Sequence, residues 1–168
     1  MFKPSGVTRE QARALGEEKT AFEIRDNFAL YFDGSIKKNP GGPGTAAWVF
    51  RKGSQPIVQG SAKLAANPEL TVNVTEYEGL IGGLDAVRRA VVSAELSVPE
   101  LYVVGDSQLV IYQCTGRYGC NAELLFERRR CVEDLVYTLH KDHGTAVYFV
   151  WVPRTKNEEA DRLTKEAY

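Results

Sequence analysis

The sequence predicts an α/β fold built on one mixed sheet, and three observations carry that reading. Three strand-like runs follow one another with only turns between them, at residues 28–32, 45–51 and 55–64, which is the pattern of an antiparallel meander. A long stretch with helical spacing then separates the third run from a fourth at 101–104, and a strand–helix–strand unit implies a parallel pair joined by a right-handed crossover. The chain has 168 residues, 43% of them hydrophobic and 26% charged, which suits a single domain with one sizeable core.

Residues 1–27 read as an N-terminal extension or linker, and residues 28–168 as the domain. Thr8-Arg9-Glu10-Gln11 has the form of a capping box, and Ala12, Leu15, Lys19 and Phe22 give a thin helical stripe. The extension is therefore expected to be partly helical and loosely docked. The first strand, FALYF, is apolar and aromatic and ends on Asp33. NPGGPG at 39–44 is turn chemistry throughout, so the second strand folds back on the first. The third strand carries Pro56 near its start, where a missing donor is tolerated, and Asn67-Pro68 ends the meander.

Asn73-Val74-Thr75-Glu76 fits an N-cap followed by an acid three residues on. Tyr77, Leu80, Ile81, Leu84, Val87 and Val91 continue at helical spacing. Gly82-Gly83 lies inside this helix at a cost of about 1 kcal/mol per glycine, and close approach to a sheet is the expected return. The fourth strand ends at Gly105-Asp106. A short helix is expected over 107–112, a loop over 116–119, and a helix over 122–140 with Leu124, Leu125, Cys131, Leu135 and Leu139 inward. A fifth strand, AVYFVWV at 146–152, stops at Pro153. Thr155-Lys156-Asn157-Glu158 is a second capping-box candidate, opening a last helix with Ala160, Asp161, Leu163, Thr164 and Ala167.

A net charge of -1 advertises no overall basic field for nucleic acid, although it leaves room for a local basic face. Cys114, Cys120 and Cys131 form no paired ligand motif and read as reduced thiols. No leader-like apolar region opens the chain, and no apolar run approaches the roughly 18 residues of a membrane span. These features predict an intracellular protein, cytoplasmic or nuclear, with no membrane partner; a monomer is expected.

The layout puts four acids where they can converge. Asp33 ends the first strand and Asp106 the fourth; if those strands are adjacent and parallel, both acids lie at the carboxyl edge where open α/β sheets place their sites. Glu76 opens the crossing helix, and Asp161 lies in the first turns of the last one. Each has a local alternative: turn former for Asp33, capping-box acid for Glu76, N-cap for Asp106, solvated helix charge for Asp161. Four clustered carboxylates without a basic partner repel one another, and divalent cations relieve that repulsion. An oxygen-only donor set favours magnesium or manganese over zinc.

YFDGSIKKNPGGPGTAAWVF, NVTEYEGLIGGLDAV, VVGDSQLVI and WVPRTKNEEADRL, in this order and spacing, resemble the type 1 ribonuclease H family from about residue 28 to 168. The resemblance implies a five-stranded mixed sheet, with strand two antiparallel, flanked by helices. It implies an enzyme that cuts the RNA strand of RNA–DNA hybrids, leaving 5′-phosphate and 3′-hydroxyl ends. Asp33, Glu76, Asp106 and Asp161 would hold two magnesium ions, with manganese as a substitute. In the family one ion activates the attacking water and the other stabilises the leaving 3′ oxygen, the two about 4 Å apart. Asp33 would bridge them, Asp161 would hold the first, and Glu76 and Asp106 the second. Gly34, Ser35, Asn39, Asn73 and Gln108 match positions that read the 2′-hydroxyl. The loop before Asp161 lacks the histidine of many members and looks like the subgroup with a VPR motif, in which Arg154 is a phosphate-binding candidate. Val72 stands where the family often has a first asparagine, and the basic protrusion of some members is absent. Arg128-Arg129-Arg130 reads as a solvated basic face. The alternatives are a non-catalytic hybrid-binding module, another nuclease of the same superfamily, and a ribonuclease H domain of a retroelement polyprotein.

Overall fold

The computed structural model describes residues 14–168. Its sheet has six strands in the order β1-β6-β5-β2-β3-β4. These are β1 (Glu17–Glu18), β2 (Phe28–Ile36), β3 (Gly44–Lys52), β4 (Gln55–Leu64), β5 (Glu100–Gly105) and β6 (Ala146–Trp151). The helices are α1 (Val72–Ser93), α2 (Gln108–Cys114), α3 (Glu123–His143) and α4 (Glu158–Glu166). β3 runs antiparallel to both β2 and β4, whereas β2, β5, β6 and β1 run parallel. The expected mixed sheet and its meander are therefore present, with one strand more than expected.

The additional strand corrects the reading of the N-terminal segment. Leu15, Lys19 and Phe22 do not share a helical stripe, because Glu17–Glu18 is extended and pairs with Tyr148 and Phe149. The Leu15 amide donates to the Cys114 carbonyl at 2.7 Å and the Lys19 amide to the Phe149 carbonyl at 2.9 Å. An unpaired β6 edge satisfied this segment's backbone better than a helix with so thin an apolar face. The candidate cap at Thr8 and the start of the stripe at Ala12 lie outside the described residues.

Strand alternation divides the core. Phe28, Leu30 and Phe32 point to the face covered by α1 and α3, with Phe50, Leu101, Val103 and Phe149. Ala29 and Tyr31 point the other way, where Tyr102, Val104, Val150 and Val152 meet Ile24, and Ala47 and Val49 meet Leu163 of α4. Asp33 shares that second face. α1 buries Tyr77, Leu80, Leu84, Val87 and Val91 of its expected stripe together with Val74, while Ile81 is only partly buried. Each such apolar side chain stabilises the fold by about 1.5–3 kcal/mol when fully buried. The Gly82-Gly83 pair does allow close approach: a methyl on Gly83 would lie 2.8 Å from Leu30 Cδ1, and one on Gly82 would run into the Trp48 ring.

Several local expectations shift. The N-cap of α1 is Thr71, whose hydroxyl accepts from the Val74 amide at 3.3 Å, so Asn73 lies inside the first turn. Ser107 caps α2 in the place allowed for Asp106. On α3 the buried residues are Leu125, Phe126, Arg129, Val132 and Leu139, while Cys131 is exposed. Arg129 is thus not part of a solvated face; it donates to the Gln113 carbonyl at 3.0 Å, and Arg128 pairs with Glu78 at 2.9 Å. His140 and His143 occupy the last turn of α3, which Gly144 closes at a φ of 69°.

Candidate active site

Asp33 does not end its strand as expected but lies inside β2, which continues to Ile36 paired with β3, and the chain builds a polar edge around it. Asp33 is 5% exposed. Burial, then Asp106, then Glu76 and Asp161, push its carboxyl up to about 8, against a hydrogen bond from the Gly34 amide. The carboxyl of Glu76 is raised to about 7 by burial and by Asp106, while Ser107 and Arg154 oppose the rise. The other three predicted acids are therefore all within electrostatic reach of Asp33, completing the four. They come from β2, α1, the end of β5 and α4.

One part of the expectation needs correcting. The cluster has a basic partner. Arg154, in the 3-10 turn Arg154–Lys156, sets its guanidinium 3.3 Å from Asp161 Oδ1, and that bond and charge, with Asp33 and Asp106 behind them, hold it more firmly protonated. The arginine is 70% exposed, so this bridge is a weak clamp that an incoming anion can compete with. Lys165 stands 3.8 Å from the same oxygen.

Asn157 is the residue whose role the sequence reading missed. It was expected inside a capping box, yet its side chain makes no cap. Instead it is 1% exposed and donates to the Phe32 carbonyl at 2.9 Å and to Asp106 Oδ1 at 3.3 Å. One amide thus ties α4 to β2 and fixes Asp106. The signal available in the sequence was its place between VPR and Ala-Asp. Trp151 adds an indole bond to the Asp106 carbonyl at 3.1 Å.

The proposed substrate-side residues are placed unevenly. Gly34 faces α1 at a point where a methyl would overlap the Thr75 hydroxyl and the Glu76 amide; close approach, and not a turn, requires the glycine. Ser35 is hydrogen-bonded to the Tyr168 hydroxyl at 2.8 Å. Asn39 Oδ1 accepts from the Val72 amide at 3.3 Å, tying the glycine-rich loop to the start of α1. Asn73 is half-buried in that first turn, and Gln108 is exposed at the start of α2, two residues past Asp106. A separate cleft of about 540 Å³, lined by Phe28, Lys52, Ile57 and Leu96, begins at the opposite end of β2 and shares no residue with the acids.

The acid edge fits a hard divalent cation. Glu76 Oε2 and Asn157 Oδ1 are buried acceptors with no hydrogen-bond partner, and the donors are all oxygen. Among the described residues no three acidic, imidazole or thiol groups alone enclose an ion. Magnesium suits such a site, because it keeps several waters and takes one or two carboxylates plus phosphate oxygens.

The electrostatics predict a pH dependence of stability. In metal-free protein, folded Asp33 and Glu76 keep protons that the unfolded chain has released between their ordinary values of 3.8 and 4.5 and about 8 and 7. The native state binds more protons across that window, so stability falls as pH rises through it. Thermal melts between pH 4 and 8 should show this decline, and magnesium should raise the midpoint more at pH 8 than at pH 5. A flat profile would contradict the buried, mutually repelling cluster.

Known proteins are similar to this chain in sequence and fold. The profile of the reverse transcriptase-like family matches residues 31–167. Ribonuclease HI of Halobacterium salinarum is 34% identical over 137 residues, 82% of this chain and 62% of that protein. The bifunctional protein Rv2228c of Mycobacterium tuberculosis is 32% identical over 135 residues, 80% of this chain and 34% of its own length. The chain therefore spans only part of the length of both relatives. Among solved structures, RNase H1 from the same Halobacterium species superposes with a TM-score of 0.67 at 30% identity, covering 84% of this chain and 96% of that one. LC11-RNase H1, solved in complex with an RNA/DNA hybrid, gives a TM-score of 0.72 at 28% identity, with 84% and 96% covered.

Proposed function

The chain belongs to the type 1 ribonuclease H family, and from that premise we propose that it is an endonuclease hydrolysing the RNA strand of RNA–DNA hybrids. The observation that carries the proposal is the Asp33 carboxyl, buried in the sheet and raised by Asp106, Glu76 and Asp161 together. Such a concentration of carboxylates is costly to a fold and useful to phosphoryl-transfer chemistry. Asp33, Glu76, Asp106 and Asp161 would hold a pair of divalent ions, which supply charge neutralisation and an activated water when bound.

The chain's own residues orient this edge. Asn157 and Trp151 fix Asp106, Ser107 favours the charged form of Glu76, and Arg154 holds Asp161 until an anionic strand competes for it. Gly34, Ser35, Asn39, Asn73 and Gln108 are the candidates for meeting the minor groove and its 2′-hydroxyls, with Arg154 for a phosphate. In the proposed reaction water adds to the scissile phosphorus and the bond to the 3′ oxygen breaks. The products are a 5′-phosphate and a 3′-hydroxyl, the leaving oxygen taking a proton.

A substrate panel tests the reading. Labelled RNA–DNA hybrid, duplex DNA, duplex RNA and both single strands are incubated with protein and magnesium, and product ends are mapped. Cleavage of the hybrid's RNA strand alone is expected. Cleavage of single-stranded DNA would point instead to another nuclease of the same superfamily, and binding of hybrid without cleavage to a non-catalytic module.

A further inference from the structure

We propose that Lys37, Tyr168 and Ser35 form a phosphate-binding subsite at the lip of the acid edge, gripping a backbone phosphate of the hybrid away from the scissile one; it rests on the ribonuclease H reading above. Strand alternation puts Ser35 on the same face as Asp33, two residues on. Lys37 follows directly after β2, its backbone fixed by the bond from its amide to the Pro43 carbonyl at 2.9 Å. Tyr168 follows α4, and its hydroxyl lies 2.8 Å from Ser35 Oγ. Its ring carries the Lys37 ammonium 4.2 Å from the centroid. α4 is itself anchored by the Thr45 hydroxyl, which donates to the Thr164 carbonyl at 2.8 Å, and by the Arg51–Glu159 pair at 2.8 Å. The tyrosine is thus presented on a fixed element.

The chemistry of the three groups matches a phosphate. Among the described residues Lys37 has no carboxylate within ion-pair distance and is held by the ring alone. The cation–π contact restrains a flexible ammonium without neutralising it. Two hydroxyls share one hydrogen bond, which uses one proton and leaves the other to donate. An ammonium and a hydroxyl donor side by side are what two non-bridging phosphate oxygens accept from. Lys37 lies four positions beyond Asp33, about 13 Å along extended chain, or about four base steps of a duplex rising about 3.4 Å per step. In a chain of net charge -1, a cation beyond the repelling acids is where a polyanion gains a hold.

The test compares full-length wild type with Lys37→Gln, Tyr168→Phe and, as a control of equal charge change, Arg89→Gln, whose partner is Asp85 on α1. Cleavage and binding of a labelled hybrid are followed from about 50 to 300 mM salt. Lys37→Gln should raise KM by about threefold to tenfold and make the salt slope shallower by about one. Tyr168→Phe should raise KM less and leave the slope alone, and Arg89→Gln should change neither. Neutral methylphosphonate linkages, placed in one strand at a time, identify the strand gripped: there, and there only, wild type and Lys37→Gln become alike. The subsite is overturned if Lys37→Gln keeps the wild-type KM and slope while the wild type cuts hybrid, or if neutral linkages in neither strand remove the difference. If the wild type neither binds nor cuts hybrid, the ribonuclease H reading falls and the subsite with it.

Discussion

Asp33→Asn should lower hybrid cleavage by at least about 10³-fold while raising the unfolding midpoint of the metal-free protein at pH 8. Both effects come from one carboxyl. It lies in the middle of the acid edge, within reach of Asp106, Glu76 and Asp161, and burial has already pushed it up to about 8. Removing its charge takes away a central oxygen donor, and losses at this scale are usual when electrostatic stabilisation of a transition state is lost. The same change removes a repulsion that the folded state alone experiences, so it stabilises. Steady-state rates and melts at pH 5 and pH 8 check the two together. An active variant, or one less stable at pH 8 than the wild type, would contradict the account.

Gly34→Ala is expected to damage stability and activity at once. A methyl at this position has no room, because it meets the Thr75 hydroxyl and the backbone of Glu76. The next turn of α1 is equally tight, since a methyl on Gly79 would stand 2.5 Å from the Asp33 carbonyl. α1 must therefore lift away from β2, and Glu76 moves with it. Overpacking of this kind costs about 1–3 kcal/mol, or about 2–12 °C in the melting midpoint of a domain this size. Cleavage should fall by more than the loss of folded protein explains. A variant with wild-type melting and rate would show that the helix and strand are not in the contact described.

The acids were legible in the sequence because local chemistry sets a mark beside each: an aromatic strand run, a helix-opening pattern, a Gly-Asp step, a helix after Val-Pro-Arg; the structure carries β2 on past Asp33 to Ile36 and starts α1 at Val72, ahead of Glu76. The β2–β3–β4 meander and the parallel crossover through α1 were legible for the same reason, whereas the place of β6 beside β5 was not marked locally. What escaped depends on tertiary partners. Thr71 and Asn73 can both cap a helix, and the sequence cannot rank them; the loop bond that the Val72 amide donates to Asn39 Oδ1 sets the start. The phase of α3 was read from scattered leucines, which turned Cys131 inward although Val132 and Arg129 are the buried residues. Asn157 looks like a cap in one dimension, and its two bonds to β2 and Asp106 exist only after folding. Arg154 likewise becomes a partner of Asp161 only when the turn Arg154–Lys156 lifts it over the cluster. β1 has too little pattern of its own and is recruited by the open edge of β6.

The most direct test of the central claim is cleavage of a hybrid labelled separately in each strand, in magnesium, in manganese and with a chelator, for the wild type beside Asp106→Asn. The account predicts that the wild type cuts the RNA strand in either metal. It predicts that the chelator stops the reaction, that Asp106→Asn is inactive though folded, and that the DNA strand stays whole. A folded wild type inert in both metals, or cleavage that persists in Asp106→Asn, would contradict it.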